Sequence, residues 1–263
     1  MLEIVNPAVF GAGIAAGLFV GILVALALGR WIGKRTIAQA LPALPPNIGS
    51  LESAVFALLG LLIAFTFSGA LTRFDVRRAQ AVDEVNAIGT AYLRIDLLPP
   101  GAQPRMRETF REYVDSRIAT YAKLPDITAA KAELERSQQL QAEIWRQAVQ
   151  AGGQAGGHPQ AMLLVMPAFN DMFNFTTLRI AATQMHPPNV IYGMLIALAL
   201  ASALLAGYQS ASEKMYDWMH QIGFAAIVAL TVYVILDIEH PRLGLVRLDA
   251  IDQLMVNARA GMK

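Results

Sequence analysis

The residues of this chain that could do chemistry crowd into one stretch, LLIAFTFSGALTRFDVRR, from Leu61 to Arg78. Ala57, Leu61 and Phe65 recur at i+4, so a helix aligns them on one bulky apolar face, with Ser68 following. Copies of that face around a common axis would form a narrow hydrophobic neck that gates ions by dewetting. Arg73 and Arg77 come next, one turn apart, with Glu84 further along the same broad face. Repeated in a ring, such arginines raise the local anion concentration at a pore mouth. Two plainer readings stand beside these: Leu61 and Phe65 facing lipid or a bundle core, and arginines snorkelling to headgroups.

Other chemistries find few residues to work with. Cysteine is absent, which removes disulfides and thiolate sites. His158, His186, His220 and His240 are far apart and form no H-x-x-x-H pair. There is no Walker loop, G-x-S-x-G or H-E-x-x-H. GAGIAAG, residues 11–17, mimics a nucleotide-binding fingerprint, but no strand precedes it and it sits inside an apolar helix. No enzyme activity, cofactor or metal is expected. A net charge of +1, without blocks of like charge, gives no reason to expect nucleic acid.

The elements that must hold these residues are membrane helices. The 263 residues are 55% hydrophobic and only 16% charged, with mean hydropathy +0.43; soluble domains carry about 25% charged residues. Four apolar runs have the length that a helix needs to cross a bilayer: Ile4 to Gly29, Ser53 to Thr72, near Asn189 to Ser212, and roughly Trp218 to Leu236, the shortest. The start, MLEIVNP, lacks a basic n-region, so the first run is expected to be retained as a span. Trp218 and Tyr216 suit an interfacial position. Residues 1–72 thus hold helices 1 and 2, residues 73–187 a polar insert, residues 188–237 helices 3 and 4, and residues 238–263 a tail.

The insert reads as helical throughout. Its first helix continues from Arg73 and stops at Pro99-Pro100-Gly101; a second runs from Arg105 to Leu124; a third starts behind Asp126 as N-cap and ends at QAGGQAGGHPQ; a fourth leads back to the membrane. Strand signals are nearly absent, so the fold class is an all-α membrane protein. In the tail, DIEHPRLG is a helix stop, with His240 at the helix end, and LDAIDQLM restarts as a short amphipathic helix able to lie along the insert.

Small residues mark packing faces. Gly13, Gly17, Gly21, Ala25 and Gly29 form an i+4 ladder on the first helix, and Gly60, Ala64, Ser68 and Thr72 form one on the second. Both suit packing within one chain, and contact between subunits is the alternative. Arg73 and Asp237 lie at helix ends on the same side, where an ion pair between them would be structural. Basic residues near the helix ends number six on that side (Arg73, Arg77, Arg78, Arg179, Arg242, Arg247) against four on the other (Arg30, Lys34, Arg35, Lys214). The positive-inside rule then places the N-terminus, insert and tail in the cytoplasm.

AFTFSGALTRFD resembles the second transmembrane helix of bestrophins, where a phenylalanine is followed seven and eight residues later by Thr-Arg and then an aromatic; here these are Phe65, Thr72, Arg73 and Phe74. VDEVNAIGTAYLRIDLLP and LDIEHPRLGLVRLD are similar to stretches of the bestrophin-like family of bacterial four-span membrane proteins. The resemblance implies an ion channel of the inner membrane: a homo-oligomer, as a pentamer, with the neck at Ala57, Leu61 and Phe65. Its partners would be the bilayer, its own copies and small inorganic ions. Ala57 departs from the bulky residues of bestrophin necks and would widen one end. The acidic calcium clasp of animal bestrophins has no counterpart, since the longest carboxylate run is Asp83-Glu84. A different class stays open: a non-conducting scaffold or membrane-stress sensor whose insert binds a partner. Arg73 to Arg179 carries 13 basic and 12 acidic residues, a mixed surface suited to protein contacts.

Overall fold

A computed structural model describes residues 7–39, 49–153, 159–212, 218–241, 244–247 and 249–262. The initial MLEIV-Asn6 segment, much of the glycine-rich break with His158, and Lys214, Tyr216 and Arg242 lie outside the described residues. Eight α-helices account for most of the rest: α1 Pro7–Gln39, α2 Gly49–Arg94, α3 Gln103–Ala122, α4 Ile127–Gly152, α5 Pro159–Gln184, α6 Asn189–Gln209, α7 Trp218–Glu239 and α8 Asp249–Ala260. No strand occurs among the described residues. Among the described residues, four helical stretches are long and apolar enough to cross a membrane: Phe10–Thr36, Ser50–Leu97, Pro159–Ser212 and Trp218–Glu239.

The chain divides into two compact units. The first comprises Met1–Thr72 and His186–His240, and the second Arg73–Met185 and Pro241–Lys263. α8 belongs to the second unit.

In the first unit α1 packs against α6 and α7. Leu18, Ile22 and Leu26, one turn apart on α1, meet Leu195, Ala199 and Ala203 of α6 and Ala225, Val228 and Val232 of α7. Lipid is as apolar as these side chains, so close backbone approach has to supply the attraction. It does so at a reciprocal crossing. A Cβ on Gly29 would collide with the carbonyl of Leu204, and one on Gly207 with the carbonyl of Leu26. One turn on, a Cβ on Gly33 would stand 2.6 Å from the Ala211 Cβ.

The second unit is built around Phe110, Tyr113 and Phe169, all fully buried, with Met106, Ile144 and Met172. Burying each such side chain contributes about 1.5–3 kcal/mol. Helix ends follow local rules. Pro99 forces Leu98 out of the helical region, to φ −77° and ψ 158°, and a 3-10 turn at Ile95–Leu97 closes α2. Asp126 caps α4 by accepting from the Ala129 amide at 3.0 Å, as its position predicts. From α8, Met255 enters the core and Arg259 donates to Asp115 at 2.9 Å.

Candidate functional site: the open face of α2 and a buried charge centre

The membrane half of α2 touches its own unit along one edge only. Leu59, Leu62 and Ile63 join the α1–α6–α7 core, and Phe56 meets Phe224 edge-on with ring centroids 5.6 Å apart. Thr66 turns inward and donates its hydroxyl to the Leu62 carbonyl. The residues predicted to line a neck all lie on the other side. Ala57, Leu61, Phe65 and Ser68 are exposed, with Leu61 52% and Phe65 68% accessible. Period 3.6 puts the neighbouring small residues Gly60 and Ala64 beside them, and both are exposed too.

The expected packing ladders split. A Cβ on Gly21 would stand 3.2 Å from Leu200 Cδ2. A Cβ on Gly13, Gly17 or Gly60 would meet nothing within 4 Å. Among the described residues of one chain nothing therefore packs onto these three, and Ala64 is exposed. The working crossing sits lower on α1, and its partner ladder, Ala199-x-x-x-Ala203-x-x-x-Gly207 on α6, was overlooked although the i+4 spacing of small residues is visible in the sequence.

The residues assigned to a charged mouth separate as well. Arg73 is half-buried where α2 enters the second unit. Arg77 is buried: its Nε donates to the Ala182 carbonyl at 3.1 Å and its Nη2 to the Met185 carbonyl at 3.0 Å. A guanidinium there satisfies carbonyls at the C-terminus of α5 and complements that helix's dipole. Glu84 is fully buried and lines no solvent-facing rim in this unit. Asp237 is buried near the end of α7 in the first unit. Its pairing with Arg73 stays a proposal, which exchanging the two charges would check.

Glu84 is the centre of an ionic cluster. Its Oε1 accepts from Arg117 Nε at 2.8 Å and from Thr176 Oγ1 at 3.0 Å, and its Oε2 accepts from Arg179 Nη1 at 2.5 Å. Arg179 reaches on to Asp252 of α8 at 2.8 Å and lies over the Tyr121 ring, 3.9 Å from its centroid. Arg117 Nη2 donates to the Tyr121 hydroxyl at 2.8 Å. Two cations thus meet two carboxylates, and α2, α3, α5 and α8 are joined at one point. Burial works to raise the Glu84 carboxyl, but Arg117 and Arg179 outweigh it and hold the group below its usual range. The Tyr113 hydroxyl, 2.7 Å from Thr176 Oγ1, is pushed up to about 12 by burial and by the nearby Glu84 charge. Such a cluster can rigidify a fold; with its oxygens occupied by guanidinium and hydroxyl donors, it is not set up to move protons.

Sequence reasoning missed Arg117 altogether and saw Arg179 only as a basic residue at a helix end. A signal existed for the first. Phe110, Tyr113, Val114 and Arg117 follow i+3/i+4 spacing, so an arginine occupies the apolar face of α3 and needs a buried anion. Among the described residues, no group of three or more histidines, cysteines or carboxylates is arranged to hold a metal ion.

Four stretches fit to span a bilayer, with helices joined by glycine and alanine crossings, make this an integral membrane protein. The Bestrophin-like domain model matches residues 17–250, and the chain belongs to that family. No curated protein and no solved structure matches the chain.

Proposed function

We propose that the protein is a homo-oligomeric ion channel, with five copies arranged so that the membrane half of α2 lines the pore. The observation that carries this reading is the uncovered face of α2, where Leu61 and Phe65 project freely beside the small residues Gly60 and Ala64. Small residues let a neighbouring α2 come close, and the bulky pair then closes the axis as an apolar neck. Of the three charges assigned to the mouth, Arg73 stands nearest the membrane half of α2 and is half-buried, whereas Arg77 and Glu84 are buried. By the distribution of basic residues, the second unit faces the cytoplasm of a bacterial inner membrane.

The test is the subunit number of the detergent-purified protein, followed by ion flux from proteoliposomes. Leu61→Ala and Phe65→Ala trim the neck, so both should leak more than wild type. A monomer, or equal background flux in all three, overturns the channel. The scaffold reading would then take its place, supported by the ion-pair cluster that makes the second unit a firm platform with a mixed charged surface.

A further inference from the structure

The first unit contains a partly open cavity of about 520 Å3 between α1, α6 and α7. This falls inside the range of roughly 300–1,000 Å3 typical of small-ligand sites. Phe10 and Ile14 of α1, Ile196 of α6, and Val232 and Leu236 of α7 make its walls apolar. All three helices lie in stretches able to cross a membrane, so the medium around this unit is hydrocarbon.

Three kinds of content compete for such a space. Water finds few hydrogen-bond partners along these walls. A void leaves the wall atoms without dispersion contacts on one side. Hydrocarbon supplies those contacts and gives up no hydrogen bond on entering. The size of the space then sets the shape of the guest. A methylene group takes about as much room as a water molecule, roughly 30 Å3, so a chain of about twelve carbons fits with room to bend. A helix from a second protein, about 10 Å across, would use up the volume in little more than one turn.

One end of the cavity is polar, but its groups are engaged within the chain. The rings of His186 and His240 stack with centroids 4.9 Å apart and planes 17° from parallel. Nδ1 of His240 is 3.1 Å from the Leu236 carbonyl oxygen, and Nδ1 of His186 is 3.5 Å from Glu239 Oε2. Glu239 is fully buried behind the lining, and Tyr192, Glu239 and His240 have further partners in the chain. Among the described residues the lining includes no lysine, arginine, aspartate or glutamate. This end lets a head group emerge without a charge to choose one. We propose that the cavity binds one hydrocarbon chain of about twelve carbons, free or part of a bilayer lipid, held by its tail and without selection of the head group.

The test is photolabelling. Full-length protein in detergent is irradiated with a dodecanol that carries a diazirine near its chain end, and adducts are mapped by peptide mass spectrometry. Adducts should appear on Ile14, Ile196 and Val232, and about tenfold excess of plain dodecanol should remove most of them. Val20, Val24 and Ile227 are exposed on α1 and α7, so adducts there report partition into the detergent belt and should not saturate. Dodecylamine and dodecanoate should compete within about threefold of dodecanol. A phosphatidylcholine with two dodecanoyl chains separates the sources: competition assigns the chain to bilayer lipids, and its absence to free amphiphiles, the chain site standing in either case. Gly193 lines the cavity, and a Cβ added there meets nothing within 4 Å, so Gly193→Leu grows into the lumen. That variant should lose the cavity adducts and keep those on the exposed residues. If it does not fold, saturation of the wild-type adducts decides. Adducts confined to the exposed residues, or cavity adducts that neither dodecanol nor Gly193→Leu reduces, overturn the site. A difference of more than about tenfold between amine and carboxylate overturns the indifference to head group.

Discussion

Removing the Glu84 carboxylate should unfold the second unit more readily than any other single change to its polar residues. In Glu84→Ala, fully buried Arg117 loses its one carboxylate neighbour at ion-pair distance among the described residues, and Arg179 keeps Asp252. Leaving a buried cation uncompensated costs roughly 3–5 kcal/mol. At about 2–4 °C per kcal/mol for a chain of this size, the melting temperature should fall by on the order of 10 °C. Glu84→Gln keeps the shape and one acceptor oxygen, so its cost should be smaller, about 2–3 kcal/mol. The double variant Glu84→Leu/Arg117→Met removes the stranded charge together with its partner, and should be more stable than Glu84→Ala. Acid acts on the same bond. The Glu84 carboxyl titrates below its ordinary 4.5 in the folded chain, so its contribution is complete above that value and is lost as the pH falls through the lowered one. Far-UV circular dichroism of the detergent-solubilised full chain reads all of this. A loss below about 1 kcal/mol for Glu84→Ala, or a double variant no better than the single, would refute the reasoning.

Two further outcomes follow from geometry. Gly207→Ala drives a methyl into the Leu26 carbonyl and should cost about 1–3 kcal/mol by forcing α1 and α6 apart. Gly60→Ala, where the added methyl meets nothing in the protomer, should leave thermal stability unchanged and alter only the subunit number. Equal losses in the two, by thermal unfolding and sizing in detergent, would contradict the assigned crossing. Ultraviolet titration should show Tyr113 ionising at about 12, above an ordinary phenol. Since its folded value is raised, the contribution of the neutral phenol is complete below pH 10 and is lost as the pH climbs through about 12. Tyr113→Phe, which removes that titration, identifies the signal.

Much of this architecture is legible in the sequence. Span length and charge content are local properties, and an uncharged run of some 20 residues has few alternatives to a membrane helix. Helix ends were legible for the same reason: Pro99 excludes the helical region at Leu98, and Asp126 supplies the oxygen that a first turn lacks. The i+4 series Ala57, Leu61 and Phe65 placed these side chains on one face of α2, and periodicity alone dictates that.

Which face turns inward is another matter, because it depends on residues far along the chain. Gly13 and Gly29 belong to one ladder, yet only Gly29 meets a neighbour, since α6 crosses α1 where Ala199, Ala203 and Gly207 allow the backbones together. Glu84 reads as an exposed charge near a membrane rim until Arg117, 33 residues on, and Arg179, 95 residues on, are brought against it. Burial of a charge is a property of the assembled core, decided by partners that no local window contains. The sequence by itself determined a four-span helical membrane protein and the spacing along each helix. Only the tertiary structure decided that Arg77 and Glu84 are interior supports, that the Leu61–Phe65 face of α2 is left uncovered, and that an apolar cavity ends at two stacked histidines.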